Sequence, residues 1–357
     1  MKAFVMKERG AAGFMELPPP VLEDAYGAVL TPIALSVCTS DVNTVYGTGS
    51  QKPKNLILGH ECLARVLKTG DRVRYFAPGD LVLVPSMTPD FSSREIQEGN
   101  FLHAGAPFSA NALGRSLGGV FAEEFLLRDA DLNLARLPKD MDYKDALMCV
   151  DMVTTGFSGA QEAEIVFGDM VVVLGIGAVG LMAVLGASLS GAGQIIAVGT
   201  RKASIPLALE FGANAVLSYR DTNITEYVLQ ATQGRGADVV IVCGGNEASF
   251  ASAIDMVRYG IGRVVNVKHF PGEGDIPIPK FSGGRGMAGK TVKLELGKGG
   301  GVRMERLLQM LRYRSLHPGK MVTHVLEGFD TLPQALELMR HKGEDVIKTM
   351  VLTGWET

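Results

Sequence analysis

Two groups of residues in this chain have the types and spacing to do chemistry. The first is Gly175-Ile176-Gly177-Ala178-Val179-Gly180, a GxGxxG pattern behind the β-branched run Val171 to Leu174. Glycine at the first place permits a tight turn, at the second lets backbone approach a pyrophosphate, and at the third lets the following helix pack closely on the strand. Unpaired amides at that helix's start, together with its dipole, favour phosphate charge, so the segment suits a dinucleotide. In a chain with 44 glycines the pattern alone is weak, and its place between strand and helix is what gives it weight. The second group begins with Cys38-Thr39-Ser40-Asp41 and Gly59-His60-Glu61. Cys, His and carboxylates are metal donors, although a lone Cys is more often a small hydrophobe and a lone His a satisfied polar residue. Gly59-His60-Glu61 is not the HExxH helix of a metalloprotease, since Leu63 and Ala64 fill the places where a second His is needed.

The choice of dinucleotide is read at the end of the next strand, where an NAD enzyme carries an acidic residue about 20 positions on to hold the ribose 2′-hydroxyl. Here Ile195 to Val198 is followed by Gly199, Thr200, Arg201 and Lys202, with no carboxylate. A small residue, a hydroxyl and two cations suit a 2′-phosphate, to which Arg offers a fork of donors, and this favours NADP over NAD. Tyr219, at the end of the next strand (Ala215 to Tyr219), is placed to stack on the ribose or adenine.

The elements that must position these residues fall into two patterns. Up to about residue 135, short β-rich runs (Ala28 to Leu35, Glu61 to Leu67, Asp80 to Pro85, Phe121 to Leu127) alternate with Gly/Pro/Asp turns, the signal of a β-barrel-like domain. Residues 90–118 read as a long loop. From about Asp145 the pattern becomes helical, then passes into a βαβ unit with the helix Val179 to Leu189, and on through Val239 to Cys243, Ala248 to Val257 and Gly262 to Val267. Two amphipathic helices, Val302 to Arg312 and Leu332 to Arg340, and a strand, Ile347 to Leu352, end the chain. Met170 to Thr200 carries no charge over 31 residues, yet seven glycines divide it into strand, helix, turn and strand, which argues against a membrane span. A net charge of −3 without a basic tract leaves no case for a nucleic-acid partner. The first residues lack a signal peptide's apolar region, so a cytoplasmic location is expected. The four cysteines, at 38, 62, 149 and 243, have no CxxC spacing and suit reduced thiols or metal ligands better than disulfides.

The chain resembles the zinc-dependent medium-chain alcohol dehydrogenases, and among them the tetrameric NADP-dependent secondary alcohol dehydrogenases of isopropanol dehydrogenase type. The resemblance rests on Cys38-Thr39-Ser40-Asp41, Ile57-Leu58-Gly59-His60-Glu61, Val84-Pro85, Thr88-Pro89-Asp90, Asp151-Met152-Val153-Thr154-Thr155-Gly156-Phe157 and the glycine fingerprint. Val198-Gly199-Thr200-Arg201, Arg303-Met304-Glu305-Arg306-Leu307 and Val322-Thr323-His324 extend it over nearly the whole chain. It implies an α/β protein with a GroES-like β-barrel catalytic domain (residues 1–153), a Rossmann doubly wound parallel-sheet coenzyme domain (154–296) and a C-terminal segment returning to the catalytic domain (297–357). It implies a catalytic zinc on Cys38, His60 and Asp151, with Glu61 able to enter the shell and Asp41 accepting a hydrogen bond from the far nitrogen of His60. One soft thiolate with harder N and O donors, leaving a fourth position open, suits zinc. Many relatives also carry a structural zinc on four closely spaced cysteines in the loop matching residues 90–118; that loop has no cysteine here, so one zinc per subunit is expected.

The implied reaction is reversible hydride transfer between NADP(H) and a secondary alcohol or ketone, with Ser40 bonding the substrate oxygen and Thr39 against the nicotinamide. The same match assigns cofactor contacts to Gly175 to Gly180 (with Ile176, Ala178 and Val179), Gly199, Thr200, Arg201, Tyr219, Asn266, Val267, Lys268 and Lys342. Ser86, Met87 and Asn111 fall at substrate-pocket positions, Asn111 where relatives have Trp, which implies a larger or more polar pocket. Asn43 stands where relatives have a proton-relaying His, Val150 where they have Pro, and Lys268-His269 where they have Asn-Tyr. Two other readings remain open on the sequence: a zinc-free NADPH quinone reductase of the same superfamily, against which the three ligands speak, and a non-catalytic NADP-binding relative. The expected partners are a small-molecule substrate and other copies of the chain in a homotetramer.

Overall fold

The computed structural model describes residues 1–47, 53–271, 274–295 and 297–355. Leu296, where the expected Rossmann segment ends, lies outside them. The chain forms two compact units, one of residues 1–154 with 298–357 and one of residues 155–297.

The first unit is built on a mainly antiparallel sheet. Its strands run in the order Val322–Glu327, Lys348–Leu352, Ala28–Leu35, Cys62–Thr69, Leu81–Val84, Ala135–Arg136, with Phe125–Leu127 also paired to Ala28–Leu35. Val322–Glu327 and Lys348–Leu352 are the parallel pair. Ala28–Leu35 is buried almost throughout, as befits a central strand, and its Pro32 is tolerated because the register slips between Pro32 and Ala34. Register brings the functional segments to one end of this sheet. Leu35 lies opposite both Cys62 and Val351, and Cys62 lies opposite Val84. The residues just beyond, Val37 and Cys38, His60 and Glu61, Ser86 and Met87, and Lys348, are therefore neighbours although they are scattered over the sequence.

A second sheet of this unit pairs Ala11–Glu16, Lys2–Glu8 and Leu56–Ile57. The sequence did not announce this hairpin, because Ala3 to Met6 are all buried and show no alternation. The expected strand Phe121 to Leu127 is shorter than read: only Phe125–Leu127 is strand, while Phe121 and Ala122 bond singly to Phe4, Leu58 and Ala3. Within residues 90–118 the loop carries two short helical turns, Arg94–Glu98 and Phe101–His103.

The second unit is an all-parallel sheet of six strands, ordered Ala215–Leu217, Gln194–Val198, Met170–Leu174, Val239–Val242, Arg263–Asn266, Thr291–Leu294. Counted within the unit this order is 3-2-1-4-5-6, the doubly wound dinucleotide-binding arrangement, which reverses between Met170–Leu174 and Val239–Val242. Met170–Leu174 and Val239–Val242 are buried throughout, which is why they read as unbroken apolar runs. No helix among the described residues is long and apolar enough to cross a membrane.

Candidate metal and cofactor sites

Cys38 ends the loop from Ala28–Leu35 and caps the helix Thr39–Tyr46, whose third residue is Asp41. One Asp41 oxygen accepts the Cys38 amide at 2.8 Å, and the other lies 3.2 Å from His60 Nδ1. This fixes the imidazole with Nδ1 as donor to Asp41 and the Nε2 lone pair free on the other side. Backbone geometry holds His60 there as well. Gly59 has φ +90°, and a Cβ on it would overlap the Phe121 ring. Asp151 comes from another direction, on a π-helical turn, Cys149–Val153, inserted between the helices Tyr143–Met148 and Thr154–Glu162. The extra residue in such a turn rotates a side chain out of the α-helical stripe, a device common at functional sites.

Cys38, His60, Glu61 and Asp151 each offer a donor atom, all within 4.8 Å of one another. Asp151 Oδ2 is 3.8 Å from Cys38 Sγ and 3.8 Å from His60 Nε2. Donors at zinc bond lengths on a tetrahedron are about 3.5 Å apart, so these separations fit an ion at their centre. A second sign is the Oε2 atom of Glu61, which is buried without a hydrogen-bond partner. Such an orphan is costly unless a ligand satisfies it. Burial alone would depress the His60 pKa, yet the Asp41 carboxylate and hydrogen bonds donated to Asp151 and Asp41 hold it well above the ordinary imidazole value. The pocket thus favours a cation, and a metal ion would meet that demand.

Around this cluster, Ser40 Oγ is 3.2 Å from His60 Nε2, on the face where the donors meet, and its carbonyl accepts Thr44 Oγ1 at 2.9 Å. Ser86 donates its amide to the carbonyl of Val150, next to Asp151, at 2.9 Å, and its buried hydroxyl has no partner. Met87 is buried, and Gly299 passes so close that a Cβ there would overlap the Met87 carbonyl oxygen. The Thr88 amide bonds to the Ala110 carbonyl at 2.8 Å and brings the half-buried Asn111 to the same loop pair.

In the second unit the three fingerprint glycines do different things. Gly175 has φ +94° and abuts Gly244; a Cβ on Gly180 would overlap the Gly175 carbonyl oxygen; a Cβ on Gly177 would meet nothing within 4 Å. Gly177 caps the helix Ala178–Leu189 with no side chain over its amides. Turn, close packing and an open cradle at a helix start are what a pyrophosphate requires. A cavity of about 280 Å³ at the reversal of strand order is lined by Gly175, Val198, Tyr219, Asn223, Gly244 and Asn246. Gly199 packs on Ile176, and Thr200 and Arg201 follow at the end of Gln194–Val198. Asn266 ends its strand, and its side-chain amide donates to the Lys268 carbonyl at 2.9 Å across Val267. The expected cofactor residues are divided between the units: Lys342 and Thr39 lie in the first, where Lys342 Nζ donates to Thr39 Oγ1 at 2.5 Å.

One residue at the metal cluster escaped sequence reasoning. Lys348 is 1% exposed, and its ammonium donates to Glu61 Oε1 at 2.7 Å and to the Val37 carbonyl at 3.2 Å. In sequence it is one more residue of an apolar strand, and only the register opposite residue 38 reveals it. Burial opposes its charge, but the Glu61 carboxylate more than offsets this and raises its pKa.

Known proteins carry the same pair of domains. Residues 27–139 match the family described as alcohol dehydrogenase GroES-like domain, and residues 178–291 the family described as zinc-binding dehydrogenase. The chain is 43% identical over 353 residues to the NADP-dependent isopropanol dehydrogenase of Thermoanaerobacter brockii, covering 99% of each. It is also 43% identical to that of Clostridium beijerinckii, covering 99% of this chain and 100% of the other. Among solved structures, the alcohol dehydrogenase TADH from Thermus sp. ATN1 superposes with a TM-score of 0.84 at 25% identity, covering 99% of this chain and 100% of that one. With both domains present and this relationship along its whole length, the chain belongs to the zinc-binding medium-chain alcohol dehydrogenases, in the isopropanol dehydrogenase group.

Proposed function

We propose that this chain is an NADP-dependent secondary alcohol dehydrogenase that moves a hydride reversibly between NADP(H) and a secondary alcohol or ketone at one zinc per chain. The observation that carries this reading is the convergence of Cys38, His60 and Asp151, with Glu61 in reserve, in a chain that also holds an open GxGxxG cradle followed by Thr200-Arg201. The zinc supplies Lewis acidity toward the alcohol or carbonyl oxygen, and the nicotinamide supplies or accepts the hydride.

The protein's own groups do the rest. Asp41 keeps the His60 tautomer whose Nε2 lone pair is left to bind the metal. Ser40, beside Nε2, holds the proton of the substrate oxygen and starts its path outward. Thr39 lies against the nicotinamide, oriented by Lys342. Thr200 and Arg201 take the 2′-phosphate, Tyr219 stacks near the adenosine, and Gly175 to Gly180 seat the pyrophosphate. Ser86, Met87 and Asn111 shape the substrate pocket, and the unpartnered Ser86 hydroxyl supports a pocket that accepts a polar group. With no cysteine in residues 90–118, the loop has no thiolate set for a structural zinc.

The assembly that goes with this reading is a cytoplasmic homotetramer. The exposed Val292 and Leu294 on the edge strand of the parallel sheet support association, and a monomeric elution volume at micromolar concentration would refute it. The activity is tested by following NADPH absorbance with a panel of ketones, aldehydes and quinones. Consumption with ketones that disappears on chelation is expected, whereas turnover of quinones alone, indifferent to chelation, would replace the reading with a zinc-free reductase.

A further inference from the structure

Beside the loop of residues 90–118 the first unit holds a cavity of about 780 Å³, with one wall from residues 104–109 and 112–113 and another from Ile57 and the strand Phe125–Leu127. That volume suits a drug-sized molecule. None of the metal donors lines it, nor do Ser86, Met87 and Asn111, so the proposed reaction makes no use of it. Its polar groups are nonetheless selective. Asn133 is 1% exposed, and its side-chain nitrogen donates to the carbonyls of Pro89 at 3.1 Å and Arg128 at 3.2 Å, which leaves Oδ1 buried without a partner. An orphaned acceptor asks for a donor. Glu124 lines the same cavity, and among the described residues its carboxylate has no hydrogen-bond or ion-pair partner. Asp90 adds a second carboxylate, and the pKa of the neighbouring Asp129 is raised by burial and then by the charges of Asp90 and Asp24. The cations that line the cavity are already engaged: the Met1 α-ammonium donates to the Leu17 carbonyl at 2.7 Å, and the exposed Arg128 bears on Asp129. Phe108 supplies a third sign. Its φ of +60° is costly for an aromatic residue, yet its amide is fixed on His103 Nδ1 at 2.9 Å and its ring stays 60% exposed at the cavity.

From these groups we infer that the cavity is a binding site for a small organic ammonium ion, whose apolar body lies against Ile57, Leu113 and Leu127 and whose charge is drawn by Glu124. Asn133 Oδ1 and the Phe108 ring are the further acceptors, since N–H groups satisfy a carboxamide oxygen and a cation is attracted to an aromatic face. An anion would face Glu124 and Asp90. A neutral alcohol would leave the Glu124 charge unmatched.

The test is equilibrium dialysis of the full chain, with metal and NADP⁺ bound, against naphthylmethylamine, its alcohol naphthylmethanol and its acid naphthoate. The amine is expected to bind about tenfold more tightly than the other two, the scale of a charge-assisted hydrogen bond. Glu124→Gln should weaken the amine by about the same factor and leave the alcohol unchanged. Ser116→Trp, which sets a bulky ring at an exposed position of the lining, should abolish amine binding. Neither residue has a part in the proposed reaction, so both variants should oxidise NADPH with ketones as the unaltered protein does, which also shows that they fold. No binding of the amine, equal binding of the three probes, or amine binding that Glu124→Gln leaves unchanged would overturn the inference. Chelation should leave amine binding intact; binding lost with the metal would place the amine on the metal ion and overturn it too.

Discussion

At the scale of single residues, the account stands on placement more than on residue type. Arg201 is proposed for the 2′-phosphate because it follows the end of the strand Gln194–Val198, and on that proposal Arg201→Asp is expected to raise the KM for NADPH roughly tenfold to a hundredfold, the worth of a charge-assisted hydrogen bond, while NADH is affected much less. Steady-state kinetics with both cofactors check this, and equal losses would remove Arg201 from the 2′-phosphate site. Asn43 cannot titrate near neutrality, so Asn43→His should raise turnover and add an imidazole titration to the pH profile; an unchanged rate and profile would take position 43 out of the proton path. The legibility of residues was uneven for a physical reason. Arg201 and Gly180 sit at fixed distances from a recognisable strand. Asp151 is carried by a π-helical turn with no pattern of its own, so only the resemblance pointed to it. Lys348 is a buried charge in an apolar strand, and its partner Glu61 is 287 positions away.

Elements explain how such scattered residues meet. The parallel sheet was readable because its central strands are buried on both faces and its turns are marked by glycine, whereas Lys2–Glu8 lacks alternation and Phe121 to Glu124 bonds only singly to its neighbours. The helix start after Gly177 and the strand it leaves are locked together at Gly180, where any side chain would strike the Gly175 carbonyl. Gly180→Ala should therefore cost about 1–3 kcal/mol of stability by overpacking and weaken NADPH binding as the cradle opens; unfolding in denaturant and a cofactor titration measure both. In the first unit, Gly59→Ala should push His60 off the cluster, because the new methyl group overlaps Phe121 and φ is +90°. A zinc affinity equal to that of the unaltered protein would show that backbone geometry at 59 does not set the ligand's position.

For the whole molecule, the division of labour follows the two compact units. The first holds the candidate metal donors, Ser40, Thr39 and the residues proposed to line the substrate pocket; the second holds the proposed dinucleotide cradle and Arg201. Neither unit contains the full chemistry, so activity requires the metal and the cofactor together, and removal of either should abolish turnover without removing the other. Among the described residues, Cys38, His60, Glu61 and Asp151 form one donor group able to hold a metal ion. The most direct test is to quantify zinc on the same sample in which NADPH oxidation by ketones is followed, before and after chelation and after zinc is restored. The account predicts one zinc per chain, ketone-dependent NADPH consumption, loss of that consumption with the metal, and its return with the metal. Bound zinc without turnover of any carbonyl, or turnover that survives the loss of zinc, would contradict it.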